Sequence, residues 1–268
     1  MKSHSPLCAA DMTDIHSHVI WDVDDGPATL EESIVMLGAA AEDGTADLVA
    51  TPHANPRYPF QHEIAWQRIR ELTEATGGRP RIHLGCEFHL TFDNVDHLMD
   101  NLGLYTINGK QYLLVECPDS HIGRHTESIL RRIVEAGVVP IVAHPERNPV
   151  LRQKLSRVEG WVESGCLLQL TALSVTGGFG ASAREAALRL LDRGLAHFVA
   201  SDAHDPVRRH PRLGEARQLV LSRYGEDAAE ILFSENPRAV VEGTPLSGGK
   251  QLAWQRPVRW YQFWKAPC

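Results

Sequence analysis

Histidines and acidic residues lie close together near the start of the chain, in the segments DIHSH and DVDDGP. His16 and His18 are two positions apart, so in an extended strand their side chains point to the same face of a sheet. Asp22, Asp24 and Asp25 follow in the next segment. Imidazole and carboxylate groups are the usual ligands of divalent transition metals. The spacing therefore indicates a metal pocket, and an exposed strand edge is the alternative.

Short apolar runs alternate with amphipathic stretches along most of the chain. Seven runs are predicted as strands, namely TDIHSHVI, DLVATPH, RIHLGCEF, QYLLVEC, VVPIVAHP, CLLQL and AHFVASDAH. They are mostly apolar on both faces, which is typical of parallel strands buried between layers. Between the first two strands, Thr29 and Glu32 form a predicted capping box, and Gly44 is the predicted helix stop. This pattern predicts one barrel-like α/β domain, with a doubly wound open sheet as the alternative.

Side chains that could bind metal recur at the carboxyl ends of six of these seven strands. In a parallel barrel all such ends meet on one face, where active sites are built. The sixth strand ends in Gln169 instead, which is not a typical metal ligand. We interpret the nine other histidines, including His89, as structural or surface residues. The candidate ligands are His16, His18, His53, Glu87, Glu116, His144, Asp202 and His204.

The candidate ligands mix imidazole with carboxylate and include no thiolate. This chemistry favours Mn²⁺, Fe²⁺ or Zn²⁺ over a structural Cys-rich zinc site. The set is too large for one ion, so two to three divalent ions are expected. Their positive charge would exceed that of the acidic ligands, which suits a phosphoryl substrate attacked by a metal-activated hydroxide. Arg147 and Arg209 are candidate phosphate clamps, and a solvated surface charge is the alternative for each.

The composition argues against nucleic-acid-binding, membrane-spanning and disulfide-rich proteins. The formal net charge of -7 argues against nucleic acid as a partner. We find no signal peptide and no apolar run long enough to span a membrane, so we expect a cytoplasmic protein. The five cysteines are odd in number and far apart in the sequence, which favours reduced thiols over a disulfide framework.

The segments DIHSH, DVDDGP, TPH, GCEF, VEC, AHPER and SDAH together resemble the PHP (polymerase and histidinol phosphatase) superfamily. Within it they look like the CpsB/CapC-type manganese-dependent protein-tyrosine phosphatases of bacterial capsule and exopolysaccharide operons. The resemblance covers about residues 12–240 and implies a distorted seven-stranded (β/α) barrel with a trinuclear metal site. The implied ligands are His16, His18, Asp25, His53, Glu87, Glu116, His144, Asp202 and His204.

The resemblance also assigns roles near the ligands. It selects Asp25 among the three aspartates, and we interpret Asp22 and Asp24 as residues of a loop turn. It implies that Arg147 and Arg209 bind substrate, with Arg208 as a competitor for the second position. Cys117 stands one residue too far from the next arginine for a cysteine-dependent phosphatase loop. The resemblance therefore implies hydrolysis at the metals without a cysteinyl intermediate.

Residues 1–244 are predicted to form the phosphatase domain, followed by a basic, aromatic extension over residues 245–268. We expect this extension to pack on the acidic body or on a second subunit, with docking near a membrane as the alternative. The expected substrate is the phosphotyrosine tail of a bacterial tyrosine kinase that controls polysaccharide export. The alternatives are a phosphoesterase acting on histidinol phosphate or a nucleotide, and a non-catalytic regulator stabilised by metal.

Overall fold

The computed structural model describes residues 11–91, 94–119 and 122–246. Its strands are β1 (Met12–Ser17), β2 (Thr45–Ala50), β3 (His53–Ala54), β4 (Arg81–Leu84), β5 (Glu87–His89), β6 (Tyr112–Glu116), β7 (Val139–Ala143), β8 (Leu167–Thr171) and β9 (Phe198–Ala200). Its helices are α1 (Leu30–Glu42), α2 (His62–Thr76), α3 (Val95–Asp100), α4 (Leu102–Tyr105), α5 (Arg124–Glu135), α6 (Leu155–Glu163), α7 (Ala172–Thr176), α8 (Ala181–Asp192), α9 (Gly214–Tyr224), α10 (Glu226–Glu230) and α11 (Asn236–Glu242).

The strands form two sheets, and every pairing between strands is parallel. One sheet has the order β1-β2-β4, and the other has the order β3-β5-β6-β7-β8-β9. The prediction of an α/β fold with parallel strands is confirmed. Both orders follow the chain in one direction, without the reversal that defines a doubly wound sheet.

Two of the predicted strands are interrupted in the structure. DLVATPH forms β2 and β3, which are separated by Thr51 and Pro52, and RIHLGCEF forms β4 and β5, which are separated by Gly85 and Cys86. Pro52 has no N–H to donate to a neighbouring strand. A Cβ at Gly85 would lie 2.9 Å from Cγ1 of Ile107, so the backbone is tightly packed at the second break. The interruptions explain why the described residues form nine strands instead of the seven predicted.

The carboxyl end of β1 lies beside the segment that follows β9. The Asp202 N–H donates to the His16 carbonyl at 2.8 Å, and the His18 N–H donates to the Ala203 carbonyl at 2.8 Å. These hydrogen bonds join residues that are far apart in the chain. The first and last groups of candidate ligands therefore lie next to each other.

The helices pack on the sheets and help to bury their apolar residues. Helix α1 begins as predicted, because the Thr29 hydroxyl accepts from the Glu32 N–H at 3.3 Å. The chain reverses direction after this helix at Gly44, whose φ of 98° is a conformation that glycine adopts without strain. Met36 and Leu37 of this helix are fully buried against the three-stranded sheet. No helix in the described part of the chain is both long and apolar enough to cross a lipid bilayer.

Asp47, at the start of β2, lies in an ion cluster away from the candidate ligands. Its carboxylate accepts from Arg81 at 2.8 and 2.6 Å and contacts Nε2 of His83 at 2.8 Å. Burial raises the pKa of Asp47, but hydrogen bonds from His83 and Arg81 outweigh it and lower the pKa to about 2. Because this value lies below that of an unfolded aspartate, the cluster stabilises the fold above pH ~4 and loses this effect as the pH falls towards 2.

We expect Asp47→Asn to lower the free energy of unfolding by about 1 kcal/mol at pH 7, a small value because the Arg81 partner is exposed to solvent. Urea unfolding at pH 7 and near pH 3 measures this difference, which should shrink at the lower pH. The exposed Asp100, changed to Asn, is the matched control. An equal destabilisation at both pH values would contradict the ionic explanation.

The predicted C-terminal extension, residues 245–268, lies outside the described residues except for its first two positions. The expectations about its packing or docking therefore stay predictions.

Candidate metal centre

All nine candidate ligands lie together where the parallel strands end or are interrupted. His16 lies in β1, Glu116 is the last residue of β6, and His144 directly follows β7. His53 and Glu87 begin β3 and β5, whereas the sequence placed them at the ends of longer strands. Donor atoms within each of four groups lie less than 4.8 Å apart. These groups are His18–Asp25–His53–His204, His16–His18–Glu87, His16–His144–Asp202 and His53–Glu87–Glu116.

Glu87 is the centre of the cluster and is almost completely buried. Its Oε1 lies 2.8 Å from Nε2 of His144 and 3.4 Å from Nε2 of His16. Its Oε2 lies 3.0 Å from Nδ1 of His53 and 3.5 Å from Nε2 of His18. Burial raises the pKa of Glu87, but the surrounding imidazoles outweigh it and hold the pKa well below its usual range. An ionised carboxylate with both oxygens among imidazoles would help to hold divalent cations.

Asp25 occupies the open side of the cluster. Its Oδ1 lies 3.2 Å from Nε2 of His53 and 3.3 Å from Nε2 of His204, and 46% of its side chain is exposed. Burial lowers the pKa of His53, but hydrogen bonds to Asp25 and Glu87 outweigh it and raise the pKa to about 11. The carboxylates thus attract positive charge strongly. A substrate group that enters from solvent would meet the cluster at Asp25.

Two candidate ligands have strained backbones. His144 has a φ of 32° and Asp202 a φ of 52°, in the left-handed region that costs a residue other than glycine about 1–3 kcal/mol. Nearby, a Cβ at Gly26 would lie 2.5 Å from the His18 carbonyl oxygen, so only glycine fits there. Backbone strain of this kind is concentrated at functional sites.

Three residues that the sequence assigned no functional role contact the ligands directly. The Asp24 carboxylate lies 2.7 Å from Nδ1 of His18 and accepts from the His53 N–H at 3.0 Å, so the interpretation of Asp24 as a loop turn alone is wrong. Oε1 of Gln169 lies 3.0 Å from Nδ1 of His16. His89, interpreted as structural or surface, has its Nδ1 2.7 Å from Oε2 of Glu116. The placement of Gln169 at a strand end could have indicated its role.

These contacts should tune metal affinity, because a hydrogen bond to the far nitrogen of a histidine ligand fixes its tautomer and orientation. We expect Asp24→Asn to weaken metal binding about 10- to 100-fold. Competition titration against a metal-binding dye measures this affinity. Asp22→Asn is the matched control, since Asp22 is 75% exposed and pairs with Arg68. Equal affinities for both variants would contradict this role of Asp24.

The two candidate phosphate arginines meet at Asp202. Nη1 of Arg147 bonds to Oδ2 of Asp202, and Nη2 of Arg209 lies 2.7 Å from the same oxygen. Arg208 is exposed, and its backbone N–H donates to the Asp205 carboxylate at 2.6 Å. The geometry therefore favours Arg209 over Arg208 as the second arginine at the cluster.

The described cysteines do not join the cluster as ligands. Cys86, Cys117 and Cys166 are all buried. Burial raises the pKa of the Cys86 and Cys117 thiols well above its usual value, so both are neutral and weakly nucleophilic near pH 7.

The donor set fits divalent transition metals. Every candidate donor is an imidazole nitrogen or a carboxylate oxygen, the combination suited to Mn²⁺, Fe²⁺ and Zn²⁺. Each of the four groups shares at least one member with another group, so the donors form one continuous cluster. The fold therefore holds a metal-type pocket beside two arginines.

The chain resembles known proteins over nearly its whole length. The family model described as capsular polysaccharide synthesis, CpsB/CapC, matches residues 12–242. The putative tyrosine-protein phosphatase CapC of Staphylococcus aureus is 36% identical over 255 residues, which cover 91% of this chain and 98% of that protein. The tyrosine-protein phosphatase CpsB of Streptococcus pneumoniae is 31% identical, with 86% of this chain and 98% of that protein covered.

The chain also resembles solved structures of proteins in the same family. A chain from the crystal structures of YwqE from Bacillus subtilis and CpsB from Streptococcus pneumoniae, described as metal-dependent tyrosine phosphatases, matches with a TM-score of 0.82. It is 29% identical, and the match covers 91% of this chain and all of that one. A β-aspartyl dipeptidase from Fervidobacterium islandicum, 13% identical with a TM-score of 0.58 over 93% of this chain and 76% of that one, shares the fold alone. From its sequence and its structure, the chain belongs to the CpsB/CapC family.

Proposed function

We propose that this chain is a metal-dependent protein-tyrosine phosphatase of capsule or exopolysaccharide synthesis. Its substrate would be the phosphotyrosine tail of a bacterial tyrosine kinase. The observation that carries the proposal is the convergence of nine metal-type side chains with Arg147 and Arg209 at one site. The phosphatase names of the relatives in Staphylococcus aureus and Streptococcus pneumoniae support it.

The nine candidate ligands would hold two to three divalent ions, with Mn²⁺ as the expected metal and Fe²⁺ or Zn²⁺ as alternatives. When bound, such ions would supply a hydroxide nucleophile near neutral pH and positive charge for the phosphoryl oxygens. Asp24 and Gln169 would orient the histidines that they contact. Arg147 and Arg209 would bind the phosphoryl oxygens through their N–H groups, which match phosphate in geometry.

We also infer that the two sheets are parts of one distorted seven-stranded barrel. Hydrogen bonds across the strand breaks support this arrangement, such as that from the Glu87 N–H to the Pro52 carbonyl at 3.1 Å. The bond from the Asp202 N–H to the His16 carbonyl supports closure between the last and first strands. We propose residues 1–244 as the phosphatase domain, with residues 245–268 as an extension that packs on the body, on a second subunit or near a membrane.

Hydrolysis of a phosphotyrosine peptide tests the proposed function. The peptide is compared with histidinol phosphate and a nucleotide, first after EDTA treatment and then with Mn²⁺, Fe²⁺ or Zn²⁺ restored. We expect metal-dependent release of phosphate mainly from the peptide, and we expect Cys117→Ser to retain this activity. Hydrolysis mainly of a small molecule would support a phosphoesterase instead. Metal binding without hydrolysis of any of the three would support a non-catalytic regulator.

The choice between the two neighbouring arginines has its own test. We expect Arg209→Ala to lower kcat/KM for the peptide about 10- to 100-fold, since it removes charge-assisted hydrogen bonds to the phosphoryl group. Arg208→Ala, the matched control, should stay within about twofold of the unmodified protein because the Arg208 side chain points to solvent. Steady-state kinetics on the same peptide measures both. The opposite ranking would assign the role to Arg208.

A further inference from the structure

Phe179 lies against both arginines of the candidate site. The Cζ atom of Arg147 is 4.4 Å from the centroid of the Phe179 ring, and the Cζ atom of Arg209 is 5.9 Å from it. Both distances fall within the range of a cation–π interaction, which extends to about 6 Å. We propose that Phe179 is a positioning residue that holds the two guanidinium groups in place to bind one phosphoryl group. This inference rests on the proposed function of the site.

The loop that carries Phe179 has a fixed conformation. Helix α7 ends at Thr176 and is capped by Gly177, whose φ of 105° reverses the chain. The Phe179 N–H then donates to the Leu173 carbonyl at 3.3 Å, and the Gly180 N–H donates to the Gly177 carbonyl at 2.9 Å. A Cβ at Gly178 would lie 2.9 Å from Cδ2 of Leu173, so the loop packs closely on the helix. The backbone that carries the Phe179 ring is thus held by contacts that do not involve either arginine.

The same region is tied to the segment that carries Arg147. Oε1 of the buried Glu146 accepts from the Thr171 N–H at 2.9 Å, where β8 meets α7. This bond links the residue next to Arg147 to the helix that leads into the Phe179 loop. A hydrogen bond therefore connects the segment that carries Arg147 to the start of the helix that precedes Phe179.

The two arginines come from different segments, after β7 and after β9, and they share two neighbours, the Asp202 carboxylate and the Phe179 ring. Two cations that approach the same phosphoryl group repel each other, and each long side chain loses conformational freedom when it is held there. An aromatic face attracts both guanidinium groups through its negative quadrupole. The ring accepts none of their conventional hydrogen bonds, so it occupies no N–H group beyond those that already donate to Asp202.

The test is phosphate affinity of the full chain loaded with Mn²⁺, measured by calorimetric titration with inorganic phosphate. Phe179→Leu keeps an apolar side chain but removes the π face, and Phe179→Trp keeps that face. We expect the leucine variant to bind phosphate about 3- to 30-fold more weakly, and the tryptophan variant to restore most of the affinity. Phe60→Leu, at a partly buried ring that contacts Tyr105, is the matched control and should bind as the unmodified protein does.

Kinetics on the phosphotyrosine peptide gives a second readout. We expect Phe179→Leu to raise KM by a similar factor with little change in kcat, since the arginines bind the phosphoryl group before and during the reaction. In an Arg209→Ala background the effect of Phe179→Leu should shrink, because one of its two partners is gone. A merely structural role for the ring would produce neither result.

The outcomes separate this inference from the proposed function. Phosphate binding by Phe179→Leu as tight as that of the unmodified protein would overturn the role of Phe179. If the unmodified protein binds phosphate but hydrolyses no peptide, the proposed function fails while the phosphate titration still decides the role of Phe179. An unmodified Mn²⁺-loaded protein that binds no phosphate would overturn the role of Phe179, and peptide hydrolysis would then decide the proposed function separately.

Discussion

Glu87→Gln is expected to lower phosphotyrosine hydrolysis by at least about 10³-fold, which corresponds to the several kcal/mol that metal ions contribute to such transition states. The reason is the position of Glu87, whose two oxygens lie within 3.5 Å of four candidate histidine ligands. The amide of glutamine is neutral and would hold divalent cations less strongly than the carboxylate. The substitution keeps the size of the side chain, so the fold should persist.

Two measurements distinguish lost chemistry from lost folding. Metal content per chain, determined after dialysis, should fall in Glu87→Gln together with kcat/KM. Thermal unfolding followed by circular dichroism should remain a single cooperative transition. The exposed Glu74, changed to Gln, is the matched control and should keep full activity and full metal content. Activity of Glu87→Gln within tenfold of the unmodified protein would contradict the proposed role of this carboxylate.

The positions of the candidate ligands could be predicted because two simple regularities apply to them. Side chains two apart in an extended segment share a face, which places His16 in β1 and His18 just beyond its end together, with Nε2 atoms 3.3 Å apart. The carboxyl ends of parallel strands meet on one side of the fold, which brings in residues such as His144 and Asp202. Both regularities depend on strand pattern alone, and the pattern is clear in this chain.

The side-chain partners within the loop and the interruptions of the strands could not be predicted. Both depend on backbone geometry, which the apolar pattern does not encode. Asp24 and Asp25 are neighbours of the same type, and only the fold of their loop turns one towards Nδ1 of His18 and the other towards His204. That loop has Asp22 at a φ of 52° and needs glycine at position 26. The interruption of two strands likewise depends on local packing. The residue types were therefore predictable, whereas their exact partners were not.

The helices illustrate the same limit. Apolar periodicity predicts a single helix over PVLRQKLSRVEGWVESG, but the structure has a short 3₁₀ turn at Leu151–Gln153 and then helix α6. Lys154, between them, has a φ of -126° and a ψ of 58°, outside the helical region. Apolar periodicity runs through both pieces, so it could not reveal the break. The helix after DVDDGP was predicted correctly because its cap is encoded by Thr29 and Glu32 themselves.

Arg147→Lys is expected to lower kcat/KM for the phosphotyrosine peptide about 10²- to 10³-fold, the cost of removing one fixed donor from a site of developing charge. Lysine keeps the positive charge but replaces a planar fork of N–H donors with a single ammonium group. It also loses the flat face that lies 4.4 Å from the Phe179 ring. If only the positive charge of Arg147 were needed, Arg147→Lys would leave kcat/KM nearly unchanged.

The size of the loss therefore tells which property of Arg147 the site uses. Arg152→Lys, in the same connection between β7 and α6, is the matched control and should retain full activity. Metal content should be unchanged in both variants, because the guanidinium is not a metal ligand. A large loss with full metal content means that the directed hydrogen bonds of the guanidinium are required, since the lysine variant keeps both the charge and the metals. A loss below about threefold would mean that the attraction of a positive charge suffices, and the role assigned to Arg147 as a phosphate clamp would then be wrong.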